Sequence, residues 1–222
     1  MNNMKTAIIT AFEPFNNDSI NPTESILKKI PDTLYDVKII KVTLPVVFNH
    51  AFERLLPLID EYNPFVILSL GLAKGRSHIN IERVAINVND TLIADNLGNK
   101  KTNSPIVPYG PDGIFTTFPL EKLQARIAKH RLPITLSNSA GTYVCNNLFY
   151  NVMHHIKQFN LPIEAGFIHI PATPQMVYAS PNIPSMSEKN VLDSLMVVLD
   201  TLLNPIDHKK RAQRVEKGQK VY

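Results

Sequence analysis

Cys145 is the single cysteine of the chain, and it stands where a strand-like run gives way to a helix-like one. The stretch reads Ile134-Thr-Leu-Ser-Asn-Ser-Ala-Gly-Thr-Tyr-Val-Cys145-Asn-Asn-Leu-Phe-Tyr150. A thiol at a helix N-terminus meets the positive end of the backbone dipole and N–H groups without helical partners, which favours thiolate over thiol. The thiolate is the nucleophile, so the position predicts covalent chemistry. The competing reading is a small buried hydrophobe, the commoner fate of a free cysteine.

A cysteine nucleophile needs a base that takes its proton and later protonates the leaving group. Among seven histidines, His154 and His155 lie nearly three turns along the helix that follows Cys145, too far to reach the sulfur. His50, His78, His130 and His208 sit in polar surroundings that suit solvated surface. His169 ends the apolar run Gly166-Phe-Ile-His-Ile, and Pro171 stops the strand just after it. Ligands of parallel α/β sheets collect at the carboxyl ends of strands, which places His169 on the same rim as the turn bearing Cys145. The third group would be an acid that holds the imidazole tautomer. In Asn80-Ile-Glu-Arg-Val-Ala-Ile-Asn-Val88, alternation puts Glu82 on one face with Val84, Ile86 and Val88. A carboxylate on such a face needs a partner, and Arg83 points to the opposite side.

Other chemistries find little support. There is no cysteine pair and no His-Glu-x-x-His helix, so no metal is expected. Gly71-Leu-Ala-Lys-Gly75-Arg76 follows a strand but lacks the spacing of a phosphate or dinucleotide loop, and no cofactor is expected. Thr10-Ala-Phe12-Glu-Pro-Phe15 places two phenylalanines after the first strand, either packed beneath a loop or lining a pocket for an apolar ligand.

The elements that must position these groups alternate. Strand-like runs fall at 5–10, 37–43, 65–71, 79–88, 133–138 and 165–170; helical periodicity falls at 21–30, 48–62, 117–130, 145–159 and 187–203. In the fourth helix Leu148, Val152, Ile156 and Phe159 form one apolar stripe. This order predicts an α/β fold with a mainly parallel, partly mixed sheet covered by helices on both faces. Residues 95–112 read as a long irregular loop, of the kind that is often functional. With 222 residues and 44% apolar content, one domain over 1–207 is expected. Residues 208–222 carry a net charge of +5, leaving −1 for the rest of a chain whose total is +4. That basic tail is expected to be disordered or peripheral, and with one aromatic, Tyr222, it offers little to stack on bases. No nucleic-acid partner is expected. Neither a secretory pattern nor a membrane-length apolar run is present, so the cytoplasm is the expected compartment.

Taken together, the motifs resemble the pyroglutamyl peptidase type I (pyrrolidone-carboxylate peptidase) family. They are Phe12-Glu-Pro-Phe15, Asn21-Pro22, Gly71-Leu-Ala-Lys-Gly-Arg-Ser77, Glu82-Arg-Val-Ala-Ile-Asn-Val-Asn-Asp90, Asp95-Asn96, Ser139-Ala-Gly-Thr-Tyr-Val-Cys-Asn146, Gly166-Phe-Ile-His-Ile-Pro171 and Ser185-Met-Ser187. The resemblance implies a three-layer α/β/α sandwich and a cytosolic cysteine peptidase, often tetrameric, that removes an N-terminal pyroglutamyl residue from peptides through a thioester acyl-enzyme. It implies Cys145 as nucleophile, His169 as general base and acid, and Glu82 as the orienting carboxylate. It also places Phe12, Phe15, Ile93, Tyr143 and Val144 around the lactam ring, with Leu72 and Asn21 at its polar edge. The chain departs from the family pattern at Ala11, at Asn16-Asn17 in place of two glycines, at Leu92 in place of an arginine, and at Ala172-Thr173. Asparagine tolerates a left-handed backbone, so the Asn16-Asn17 turn should persist. The alternative is a weak or inactive relative that binds capped peptides without cleaving them.

Overall fold

The computed structural model describes residues 4–180 and 182–204; the expected tail at 208–222 lies outside them, as does the end of the expected 1–207 domain. Nine strands and six helices alternate along these residues. Strand β1 (Lys5–Phe12) leads to helix α1 (Pro22–Lys29), the short β2 (Thr33–Leu34), β3 (Val37–Leu44), α2 (His50–Tyr62) and β4 (Val66–Leu72). Then come β5 (Ile79–Glu82), β6 (Val84–Ile86), β7 (Gly113–Phe115), α3 (Leu120–His130), β8 (Ile134–Ser137) and α4 (Val144–Gln158). Strand β9 (Glu164–Ile170), α5 (Pro174–Val177) and α6 (Glu188–Leu203) complete the series.

Seven strands form one sheet in the order β2-β3-β1-β4-β9-β5-β8. The pairs β1–β3, β1–β4, β4–β9 and β5–β8 are parallel, whereas β2–β3 and β5–β9 are antiparallel. The central strands are buried on both faces, which is why they read as unbroken aliphatic runs. Ile9, Leu68, Leu70, Ile81 and Ile168 face a core shared with α1, α3 and α6. Ile8, Ile67 and Phe167 face the opposite core, shared with α2 and α4. Each fully buried aliphatic or aromatic side chain here is worth roughly 1.5–3 kcal/mol of transfer free energy.

Local signals explain where the helices begin. Asn21 caps α1 by accepting from Thr23 N, with Pro22 at the first helical position, where its missing N–H costs nothing. Ser187 caps α6 by accepting from Asn190 N. Asn16 and Asn17 adopt φ values of 52° and 64°, the left-handed turn expected of that pair.

Two expectations need correction. The run at 79–88 is not one strand. It breaks at Arg83, whose N–H donates to Ser137 O while its C=O accepts from Thr116 N, and β6 passes into a second, two-stranded sheet with β7. Alternation across 82–88 therefore does not describe the surroundings of Glu82. Phe159 does not extend the α4 stripe either: it is the C-terminal cap and 59% exposed, because the helix ends before another turn would bring it inward.

Candidate active site

Glu82, His169 and Cys145 reach one face of the sheet from three elements. Register does most of this work. Antiparallel pairing sets Asn80 opposite His169, so Glu82, two residues on, projects from the same face at a diagonal that long side chains can span. Glu82 Oε1 accepts from His169 Nδ1 at 2.8 Å, which leaves Nε2 as the nitrogen for proton exchange. Both residues are buried, Glu82 completely.

Cys145 lies in the first turn of α4. Parallel pairing makes Gly71 of β4 the Cα partner of His169. A β-carbon at Gly71 would stand 2.9 Å from Cys145 Sγ and 2.7 Å from the Phe167 ring, both closer than such atoms approach. The Phe167 and His169 rings pack with centroids 4.8 Å apart. The sulfur thus rests on the bare backbone of Gly71, one strand from the imidazole. Gly71→Ala is expected to lower turnover about tenfold and destabilise the fold by about 1–3 kcal/mol through overpacking, read as kcat and a thermal melt on one preparation.

Two asparagines fix the start of α4. Asn146 accepts from Ile86 N and donates to Ile86 O and Val88 O. Asn147 accepts from Asn49 N and donates to Asn49 Oδ1 and Asn89 Oδ1. Both are fully buried and bonded, so the segments at 45–50 and 84–89 hold the thiol in place. Asn146 stands in the cysteine motif, but no local pattern gives either asparagine a role, because their partners lie far away in the sequence.

The electrostatics of the thiol differ from the expectation. Cys145 keeps some surface accessibility, yet burial pushes its pKa up to about 12, with the Glu82 charge adding to the rise and Arg76 opposing it. The helix dipole does not outweigh desolvation, and the sulfur is a thiol. Burial also lowers the pKa of His169, against the Glu82 hydrogen bond and charge. For Glu82, burial works upward but is overcome by His169, Ser137 and Arg76, so its pKa is lowered. The resting centre is a neutral thiol, a neutral imidazole and a carboxylate.

The partner that a buried carboxylate demands is Arg76. Its Nη1 donates to Glu82 Oε1 at 2.7 Å and its Nη2 to Ser139 O at 2.9 Å. The sequence signal is a cation six residues before Glu82; Arg83, though adjacent, bonds elsewhere through its backbone.

Beside Cys145 is a hollow of about 230 Å³, open mouth included, lined by Phe12, Phe15, Asn21, Val46, Leu72, Tyr143, Val144 and Cys145. Val46 is the addition to the expected set. Ile93 is not among the lining residues and is 39% exposed. Phe15 and Phe48 pack on Tyr143 at centroid distances of 6.0 and 5.4 Å, and Tyr143 donates to Ala94 O, so this wall is tied to the 90–99 loop. Asp95 braces that loop, accepting from Phe48 N, Leu97 N and Asn99 N. Asn96 donates across to Glu13 Oε1 and Pro14 O. Asn21 is largely occupied, since its oxygen accepts twice from Thr23 and its amide donates to Glu13 O. Leu72 offers main chain instead. Ala73 N donates to Ile170 O, and the alternation of a parallel ladder then turns the polar groups of Leu72 away from β9 toward β1. The β1–β4 ladder ends at Thr10–Ser69.

Among the described residues, no group of three or more metal-ligating side chains gathers, and no helix is long and apolar enough to cross a membrane. A family model described as pyroglutamyl peptidase matches residues 5–204. Pyrrolidone-carboxylate peptidase 1 of Caldanaerobacter subterraneus subsp. tengcongensis is 41% identical over 196 residues, 88% of this chain and 97% of that protein. Pyrrolidone-carboxylate peptidase of Yersinia pestis (strain Pestoides F) is 40% identical over 206 residues, 92% and 95% of the two chains. The crystal structure of pyroglutamyl peptidase I from Bacillus amyloliquefaciens superposes with a TM-score of 0.82 at 34% identity, covering 87% of this chain and 92% of that one. A mutant pyrrolidone carboxyl peptidase from P. furiosus gives a TM-score of 0.85 at 37% identity over 89% and 98%.

Proposed function

The chain belongs to the pyroglutamyl peptidase family, and from that premise we propose that Cys145, His169 and Glu82 carry out its reaction, removal of an N-terminal pyroglutamyl residue from peptides. The observation that carries the assignment is the Glu82–His169 hydrogen bond of 2.8 Å beside the only thiol in the chain. His169 Nε2 takes the thiol proton as Cys145 Sγ bonds to the exocyclic acyl carbon. Backbone N–H groups at the start of α4, that of Cys145 among them, receive the developing oxyanion. The tetrahedral species collapses by breaking the C–N bond, and the imidazolium gives its proton to the departing amine. Water then attacks the thioester with His169 again as base. The thiolate leaves and regains its proton from His169, releasing pyroglutamate. Glu82 holds the Nδ1–H tautomer throughout and stabilises the imidazolium.

The hollow supports the substrate class. Its lining is mostly apolar, with Phe12, Phe15, Leu72 and Tyr143 beside the thiol, the kind of wall an uncharged ring packs against. A pyroglutamyl residue is flat, uncharged and without a free amine, so it asks for the aromatic and aliphatic walls present here. The Leu72 main chain and the remaining Asn21 amide hydrogen supply its polar contacts. Prolyl substrates lack the ring carbonyl and would leave a buried donor unpaired. A fluorogenic pyroglutamyl amide should therefore be cleaved, and prolyl and glutaminyl amides should be cleaved at least about 10³-fold less well. Equal rates on all three would overturn the substrate assignment. The match over residues 5–204 favours this active reading over a non-cleaving binder.

Residues 1–207 act as one catalytic domain in this proposal. The cytoplasm is its compartment, since a lone working thiol suits a reducing environment. The exposed Leu92, Leu97 and Tyr109 are the kind of apolar surface that a homo-oligomer covers, consistent with a tetramer, which light scattering would detect.

Because the pKa of His169 lies below its ordinary 6.5, kcat/KM should rise with pH through one limb centred below that value. It should then stay flat well past neutrality, since Cys145 titrates near 12. The same depressed pKa values make the unfolded chain bind more protons. Stability should therefore fall on acidification, first below 6.5 through His169 and then below 4.5 through Glu82. Thermal melts across pH check this; a melting temperature unchanged between neutrality and mild acid would contradict it.

A further inference from the structure

We propose that Arg76 is a positioning residue of this site, clamping the Glu82 carboxylate to the loop that delivers Cys145 and, through Glu82, holding His169 in its working orientation. The inference rests on the roles assigned above to Cys145, His169 and Glu82.

The contacts converge from three directions. Arg76 follows β4 in a tight turn, with Gly75 at φ +95° and Arg76 N donating to Ala73 O. From there one guanidinium nitrogen donates to Glu82 Oε1, the same oxygen that accepts from His169 Nδ1. The other nitrogen donates to Ser139 O. That carbonyl also accepts from Ser137 Oγ, and Ser139 Oγ accepts from Gly141 N, so the guanidinium closes the turn leading into α4. A carboxylate with no exposed surface is costly without a cation, whereas the Arg76 side chain is 32% exposed and keeps part of its hydration. Only a planar fork reaches both acceptors at fixed angles; an ammonium is a single point charge.

Position and charge make different demands. The ionisable groups facing His169 are Glu82 from β5, Arg76 from the turn after β4 and Cys145 from α4. Removing the cation should make the imidazolium and the thiol both easier to keep protonated, consistent with the direction in which Arg76 acts on each. Arg76 lines no part of the hollow beside Cys145, so it should influence kcat and leave KM alone.

The test uses Arg76→Ala and Arg76→Lys in the full chain, with two readouts. The first is steady-state cleavage of a fluorogenic pyroglutamyl amide across pH. The second is the rate at which iodoacetamide alkylates Cys145 across pH, which reports thiolate directly and needs no peptidase activity. Arg76→Ala is expected to lower kcat about 10–100-fold with KM within about twofold. Its acid limb and its alkylation profile should both move to higher pH, and added guanidinium should restore part of kcat. Arg76→Lys should lie between the two in kcat with its acid limb near that of the wild type. The lysine variant carries the test if the alanine variant does not fold. Unmoved profiles with a rate loss that only tracks a lower melting temperature would overturn the proposal. So would a raised KM at unchanged kcat, or a lysine variant equal to wild type. A wild-type chain that releases no fluorophore would overturn the peptidase reading, while the alkylation profiles would still decide for or against Arg76.

Discussion

Replacing Cys145 by serine is expected to cut turnover of a pyroglutamyl amide by at least about 10⁴-fold, the scale seen when a catalytic nucleophile is lost. The substitution changes one atom at a position held by the Asn146 and Asn147 hydrogen bonds, against the bare backbone of Gly71. The smaller oxygen overpacks nothing, so the melting temperature should move by only a few degrees. The size of the effect follows from the state of the centre. With the thiol near 12 and the imidazole neutral, attack depends on proton transfer to His169 as the bond forms. A hydroxyl holds its proton more tightly still. Full alkylation of Cys145 should abolish turnover equally, because there is no second thiol to substitute. Turnover within tenfold of wild type in Cys145→Ser would remove the nucleophile from the account.

Glu82→Gln should produce the next largest loss, about 10³–10⁴-fold in kcat, the scale found when the acid of a hydrolase triad is made an amide. The carboxylate accepts the Nδ1–H of His169 at 2.8 Å and so reserves Nε2 for the thiol. A glutamine can present its NH₂ group to Nδ1 and stabilise the opposite tautomer, with Nε2 already protonated and unable to act as base. The same change turns a charge-assisted contact with Arg76 into a neutral one, and should cost about 1–3 kcal/mol of stability. A pH profile separates the two consequences. Loss of the anion should make His169 harder to protonate, moving the acid limb downward while the plateau falls. A variant with the plateau of the wild type would show that Glu82 is structural only.

Much of this architecture was legible because long-range order and local patterning agree. Unbroken aliphatic runs at β1, β4 and β9 signal strands covered on both faces, and the Asn21-Pro22 cap signals the start of α1. His169 at the end of an apolar strand, and Glu82 in a run too apolar to hold a charge alone, both call for a partner. The 2.8 Å contact between them answers both demands. What periodicity could not reveal was the break at Arg83. Ile79 and Ile81 before it and Val84 to Ile86 after it look like one alternating strand, and only pairing with β7, far along the chain, diverts the second half into another sheet. The state of Cys145 departs from the helix-terminus expectation for a related reason. The dipole of α4 is visible in the sequence, but the desolvation that exceeds it comes from burial against a core assembled from distant segments. The role of Arg76 is not legible in the sequence because its reach to Ser139 exists only after β4, β5 and the β8–α4 loop have met. Val46 joined the hollow in the same way, through packing between segments that no local pattern connects.

The claim on which everything turns is that Cys145 becomes acylated by the pyroglutamyl group. Rapid acid quenching of the enzyme during turnover of a pyroglutamyl amide, followed by mass spectrometry of the digested chain, tests it directly. The account predicts one pyroglutamyl acyl group on the peptide containing Cys145, removable by hydroxylamine and missing from Cys145→Ala. Turnover with no adduct at Cys145, or an adduct that persists in the alanine variant, would contradict it.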